Sequence, residues 1–68
     1  MPRDNAKKVL QNPDASREEI HMAIVWLSTD LQYIIKSMPT NPAQETQACV
    51  RESQELLEKL ALKLSSLE

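Results

Sequence analysis

Few side chains in this sequence could carry out covalent or acid–base chemistry, and their spacing does not bring them together. His21 is the single histidine and Cys49 the single cysteine of the 68 residues. His21 could act as a base only beside a nucleophile, and helical spacing puts it at the margin of its predicted helix, which favours a solvated side chain. Cys49 falls on an apolar stripe, which is typical of an inert buried thiol. One histidine and one cysteine are also too few for a structural zinc site. We therefore expect no enzyme, no catalytic residue, no bound metal and no cofactor.

Asp30 falls beside the predicted core stripe, near the middle of the same helix, where an acid needs a partner. Two alternatives stay open. Lys59 or Lys63 of an antiparallel helix could pair with it, or Asp30 could bind an arginine of another molecule.

The two aromatic residues, Trp26 and Tyr33, give a clearer signal of contact with a partner. With Ile20 as zero on a helical wheel, Met22, Trp26 and Tyr33 lie at roughly 200° to 240°, away from the core stripe. Residues of these types are enriched at protein interfaces, because they offer large contact areas with few rotatable bonds. The predicted partner-binding residues are Met22, Val25, Trp26, Thr29, Tyr33 and Lys36, with Arg17 at the rim.

The elements that must position these residues are two long helices. Ser16 and Glu19 have the spacing of a capping box, which predicts a first helix over about residues 17–38. Asn41 as N-cap and Pro42 at the first helical position predict a second helix over about 42–66. Because the connection is very short, residues 16–68 are predicted to form an antiparallel helical hairpin.

Apolar side chains repeat along both predicted helices at the spacing of a helix–helix contact. The apolar arc on the second helix spans roughly 140°, which is broad for one neighbour, so another element is expected to cover part of it. The residues predicted to form the hairpin core or a dimer contact are Ile20, Ile24, Leu27, Leu31, Ile34, Met38, Leu56, Leu57, Leu60 and Leu64.

The N-terminal segment 1–15 is left open between a short helix and a frayed terminus. Ala6, Val9 and Leu10 have helical spacing, but the sequence NPDA then breaks the pattern.

The size of the chain predicts self-association. A core of this size rarely supplies more than about 3 to 5 kcal/mol without a staple or a partner. The predicted fold class is therefore all-α, with two hairpins pairing into a homodimeric four-helix bundle. The second apolar face of the first helix could then be core of that dimer, a free surface for another protein, or a surface covered by a terminal segment.

Charge and hydropathy restrict the partners further. The net charge is −2, with no concentrated basic face, so nucleic-acid binding is not expected. The apolar run from Ala23 to Leu27 is far shorter than a membrane span, and the N-terminus does not have the pattern of a signal peptide. We expect a cytoplasmic protein with no membrane or small-molecule partner.

The acidic charge, the absence of glycine and the predicted hairpin with a surplus apolar face resemble the small antiactivator proteins of bacteria, phages and plasmids. The resemblance covers the architecture of residues 16–68. It implies a regulatory protein that binds a larger protein, such as a transcriptional activator, and inhibits or sequesters it. The alternative is a structural or assembly subunit, or a chaperone, whose dimerisation is its main function.

Overall fold

The computed structural model describes residues 1–67 and contains three α-helices. Helix α1 spans Pro2–Gln11, α2 spans Arg17–Ser37 and α3 spans Gln44–Ser66. No strand occurs within residues 1–67. The predicted all-α class is confirmed, whereas the architecture is one of three packed helices and not of a two-helix hairpin alone. Glu68, the end of the predicted range 16–68, lies outside the described residues.

The N-terminal segment is helical and well packed. Pro2 occupies the start of α1, where its missing N–H costs no hydrogen bond, and the helix ends at Asn12. Asn12 then forms a turn, with its Oδ1 accepting a 3.0 Å hydrogen bond from the Asp14 N–H. Ala6 and Val9 are buried, so α1 is held down by its apolar side.

Helix α2 begins at the predicted cap. The Ser16 hydroxyl oxygen accepts a 3.1 Å hydrogen bond from the Glu19 N–H, and its O–H lies 3.3 Å from Glu19 Oε1. The helix ends at Ser37 because Met38 precedes Pro39, and a residue before proline is disfavoured in helical conformation. Met38 accordingly has extended backbone angles.

The predicted N-cap of α3 was wrong. Ala43, not Asn41, is the N-cap, and the helix begins at Gln44, beyond Pro42. No side chain caps the first turn. Instead, the Gln47 side-chain amide donates a 3.0 Å hydrogen bond back to the Pro42 carbonyl oxygen, which ties the connection to the helix.

All three helices pack against one another. The start of α2 lies beside the end of α3, where His21 and Leu64 line the same depression, so these two helices are antiparallel. Helix α1 lies on one side of their groove and runs parallel to α3, since Arg3 contacts Glu52 while Leu10 lies near Lys59. The core consists of Ala6, Val9, Ala15, Ile20, Ala23, Leu27, Leu56 and Leu60.

Helix α1 is too short to cover the whole groove. Its 10 residues span about 15 Å, against about 31 Å for the 21 residues of α2. No residue of α2 after Leu31, and none of α3 before Ser53, is buried. The result is an elongated molecule of 40 × 19 × 16 Å, whose loop end is a two-helix ribbon.

Candidate protein-binding surface

Large apolar side chains line the outer side of α2. Met22 is 62% exposed, Trp26 47% and Tyr33 72%. Steps of four and seven residues place them on one line along the helix, with Val25 and Thr29 beside it. These five residues are called the tryptophan stripe.

The stripe remains outside because the opposite side of α2 forms the core. Ile20 and Leu27 are fully buried against the other helices, whereas the stripe lies roughly 140° to 240° around the axis from Ile20. An α-helix packed over one side cannot also bury its outer side without a further element. Among residues 1–67, α1 lies beside Met22 and Trp26, and Leu64 of α3 lines a depression with Met22.

Helix α1 and the stripe form the walls of a shallow groove. Asn5 and Val9 lie on the α1 side and Met22 and Trp26 on the α2 side, around a volume of about 590 Å³. The N-terminal segment therefore shields one edge of Trp26 and leaves Tyr33 open.

Polar groups around the stripe differ at its two ends. Glu18 and Glu19 line the groove near Met22, and Lys36 is exposed beyond Tyr33. Thr29 donates a 2.9 Å hydrogen bond from its hydroxyl to the Val25 carbonyl oxygen. The hydroxyl hydrogen is thus used within the helix, and the surface available to a partner is mainly apolar, with an acidic end and a basic end.

The two side chains that could take part in covalent or acid–base chemistry, His21 and Cys49, lie apart. His21 is exposed on α2, while Cys49 is half-buried on α3 and accepts a 3.1 Å hydrogen bond at Sγ from Arg3 Nη1. No group of three or more histidine, cysteine or acidic side chains that could hold a metal occurs within residues 1–67.

The expected pairing of Asp30 with Lys59 or Lys63 is absent among the described residues. In an antiparallel pair, the middle of α2 faces the middle of α3, whereas these lysines lie nearer the end of α3.

The residues predicted as core or dimer contacts divide into two groups. Those facing α1 or the helix–helix contact are buried: Ile20, Leu27, Leu31, Leu56 and Leu60. The others are only partly buried: Ile24, Ile34, Met38, Leu57 and Leu64. Helical spacing therefore could not tell which of the apolar sides this chain covers by itself.

A second apolar surface lies on the side of α2 and α3 away from α1. It is formed by Ile24, Ile35, Val50, Leu57, Ala61 and Leu64, which are called the α2/α3 face. Ile24, Leu57 and Leu64 pack against the core with one edge only, and Ile35 is 46% exposed. This face contains one side of the broad apolar arc on α3. Helix α1 covers the other side, near Glu52 and Leu56.

The fold and these surfaces define a small three-helix protein with two exposed apolar surfaces. No helix within residues 1–67 has the length and apolar character needed to cross a membrane. The chain matches no protein-family model, no curated protein and no solved structure, so its function has to be inferred from its own residues.

Proposed function

We propose that this chain is a small regulatory protein that binds a larger protein through the tryptophan stripe and thereby inhibits or sequesters it. The observation that carries the proposal is the exposure of Met22, Trp26 and Tyr33, at 62%, 47% and 72%. Water-facing helix positions usually carry charged or amide side chains. A line of two aromatic residues and a methionine at such positions is typical of a contact surface.

The groove beside the stripe supports this function. Val9 and Trp26 provide apolar walls about an open volume of about 590 Å³, into which an apolar side chain of a partner helix or loop would fit. Binding energy at protein interfaces concentrates in a few aromatic anchors surrounded by residues that exclude water. Trp26 would fill that role, since it lines the groove with Val9 and Met22 and is 47% exposed.

Charge supports a partner with a basic surface. Glu18 and Glu19 lie at one end of the groove, and the chain has a net charge of −2. A transcriptional activator, whose DNA-contacting surface is basic, has the complementary charge. Occupation of such a surface by this protein would exclude DNA, which gives inhibition by steric competition.

Site-specific photo-crosslinking in the cells that carry the gene tests this proposal. A benzophenone amino acid replaces Tyr33, which is 72% exposed in the stripe, and in a matched control it replaces Leu62, which is 71% exposed on the outer side of α3. We expect a crosslink from position 33 to a different protein, absent from position 62 and lost when Trp26→Ala is added. That change should weaken binding of the identified partner by about 2 kcal/mol or more.

Two results would contradict the proposal. Position 33 could crosslink no more than position 62, or it could crosslink only to a second copy of this chain. In the latter case the stripe would be a self-association surface, as expected of a structural subunit, and Trp26→Ala would dissociate or unfold the protein.

A further inference from the structure

The α2/α3 face carries no charged side chain along most of its length. On the helical wheel it spans roughly 40° to 120° from Ile20 on α2 and from Leu60 on α3. Between His21 and Ile35, and between Thr46 and Leu64, these positions hold no aspartate, glutamate, lysine or arginine. The polar residues among them are serine, threonine, glutamine and the one histidine. Arg17, at roughly 60° in the first turn of α2, lies at the end of this arc and lines a depression with Leu64.

The charges of the two helices lie on the other sides. Glu52 faces α1, where it pairs with Arg3 at 3.3 Å and with Lys7 at 3.5 Å. Glu55 and Glu58 lie on the outer side of α3. A side chain exposed to water has no reason to avoid charge, so an uncharged strip between two helices indicates a surface that is covered.

The accessible surface of the chain exceeds that of a compact monomer by about the area of one protein–protein contact. The accessible surface is 5084 Å². A compact monomer of 7.8 kDa is expected to expose roughly 4,400 Å². The excess, roughly 700 Å², is close to the roughly 800 Å² that each partner buries in an interface of standard size.

We propose that a second copy of this chain docks on the α2/α3 face. Two copies related by a two-fold axis would bring α2 and α3 of each together as a four-helix bundle, with the two α1 helices outside. A second copy fits the face because an apolar strip with uncharged polar residues is complementary to itself. The acidic residues of the chain would lie outside the contact. The proposal uses a different surface from the proposed partner-binding function and does not rest on it.

The geometry leaves both tryptophan stripes free. The centre of the stripe lies about 110° around α2 from the centre of the α2/α3 face. The dimer would therefore present one stripe on each of its two sides. It could bind two partner molecules, or both subunits of a dimeric partner, with the gain in avidity that two linked sites provide.

Matched charge substitutions test the dimer contact, with molecular mass measured by sedimentation across nanomolar to high-micromolar concentrations. Ile35→Glu and Ala61→Arg place charges on the α2/α3 face, whereas Tyr33→Glu and Leu62→Glu place them nearby on other sides of the same helices. We expect the wild type to be a dimer of twice 7.8 kDa. Ile35→Glu and Ala61→Arg, each tested alone, should raise the dissociation constant of the dimer at least tenfold. Tyr33→Glu and Leu62→Glu should each leave it unchanged. A monomeric wild type, or a dimer that either control disrupts, would overturn the proposal.

Hydroxyl-radical footprinting of the wild type provides a readout that does not depend on the folding of any variant. On concentration into the dimer, oxidation of Ile35 and Leu57 should fall several-fold, while that of Tyr33 and Leu62 stays constant. Protection of Tyr33 instead would place the dimer contact on the stripe and refute the inference. Trp26→Ala alters only the stripe. If this variant loses the crosslink to the partner but still forms the dimer, the dimer proposal and the proposed function are tested separately.

Discussion

Arg3 Nη1 of α1 lies 3.3 Å from Glu52 Oε1 of α3, and Lys7 Nζ lies 3.5 Å from the same oxygen. This one carboxylate joins the N-terminal helix to the last helix. The Arg3 and Glu52 side chains are 34% and 42% exposed, so water screens much of the attraction. The ion pairs mainly set the orientation of α1, while burial of Ala6 and Val9 holds it in place.

Glu52→Gln should therefore lower the free energy of unfolding only modestly, by about 0.5 to 1 kcal/mol. Urea denaturation measures this difference, and added salt should reduce it, since salt screens exposed ion pairs. Glu58→Gln is the control, because Glu58 is exposed on α3 and forms no ion pair within residues 1–67. Equal losses in both variants would mean that the contacts to Arg3 and Lys7 contribute nothing measurable.

Local sequence signals specified α2 well. Its cap and its end are determined by residues within a few positions, namely Ser16 with Glu19 and the proline at position 39. The same kind of signal failed at Asn41 and Pro42, because the connection needs those residues to reverse the chain before α3 begins. Local sequence signals predict where a helix can start, whereas the path of the connection determines where the helix starts.

The packing of α1 could not be predicted from its own residues. Ala6, Val9 and Leu10 provide a small apolar side that is stable only when it rests on the groove between α2 and α3. The tryptophan stripe could be found by helical spacing, because its residue types are unusual for a surface. The α2/α3 face could not be separated from the core in the sequence, since both consist of aliphatic residues at adjacent positions.

Ser53 is fully buried, and its hydroxyl has no hydrogen-bond partner within the described residues. A buried polar group without a partner costs about 1 to 3 kcal/mol of stability. Ser53→Ala should therefore stabilise the protein by about 1 kcal/mol or more, measured as a higher urea midpoint. Ser65→Ala on the exposed side of α3 shows the gain from helix propensity alone. A gain at position 53 no greater than that at 65 would contradict the assignment of an unpaired buried hydroxyl.

Ser16→Ala should destabilise the protein by about 0.5 to 2 kcal/mol, because it removes the side chain that accepts from the Glu19 N–H at 3.1 Å. Ser16→Asp keeps an acceptor at the cap and should retain most of the stability. Thermal unfolding followed by circular dichroism compares the two variants. Equal destabilisation by alanine and aspartate would show that the position, and not the hydrogen bond, determines the loss.

The emission of Trp26 distinguishes the two apolar surfaces in a single titration. Trp26 is the only tryptophan of the chain and is 47% exposed in the stripe. If the dimer forms through the α2/α3 face, its environment is the same in monomer and dimer. We therefore expect a red-shifted emission band and ready quenching by acrylamide, both unchanged on dilution through the range in which sedimentation detects dissociation. A blue-shifted band that moves to the red on dilution would mean that two copies meet through Trp26, and the stripe would then be unavailable to another protein.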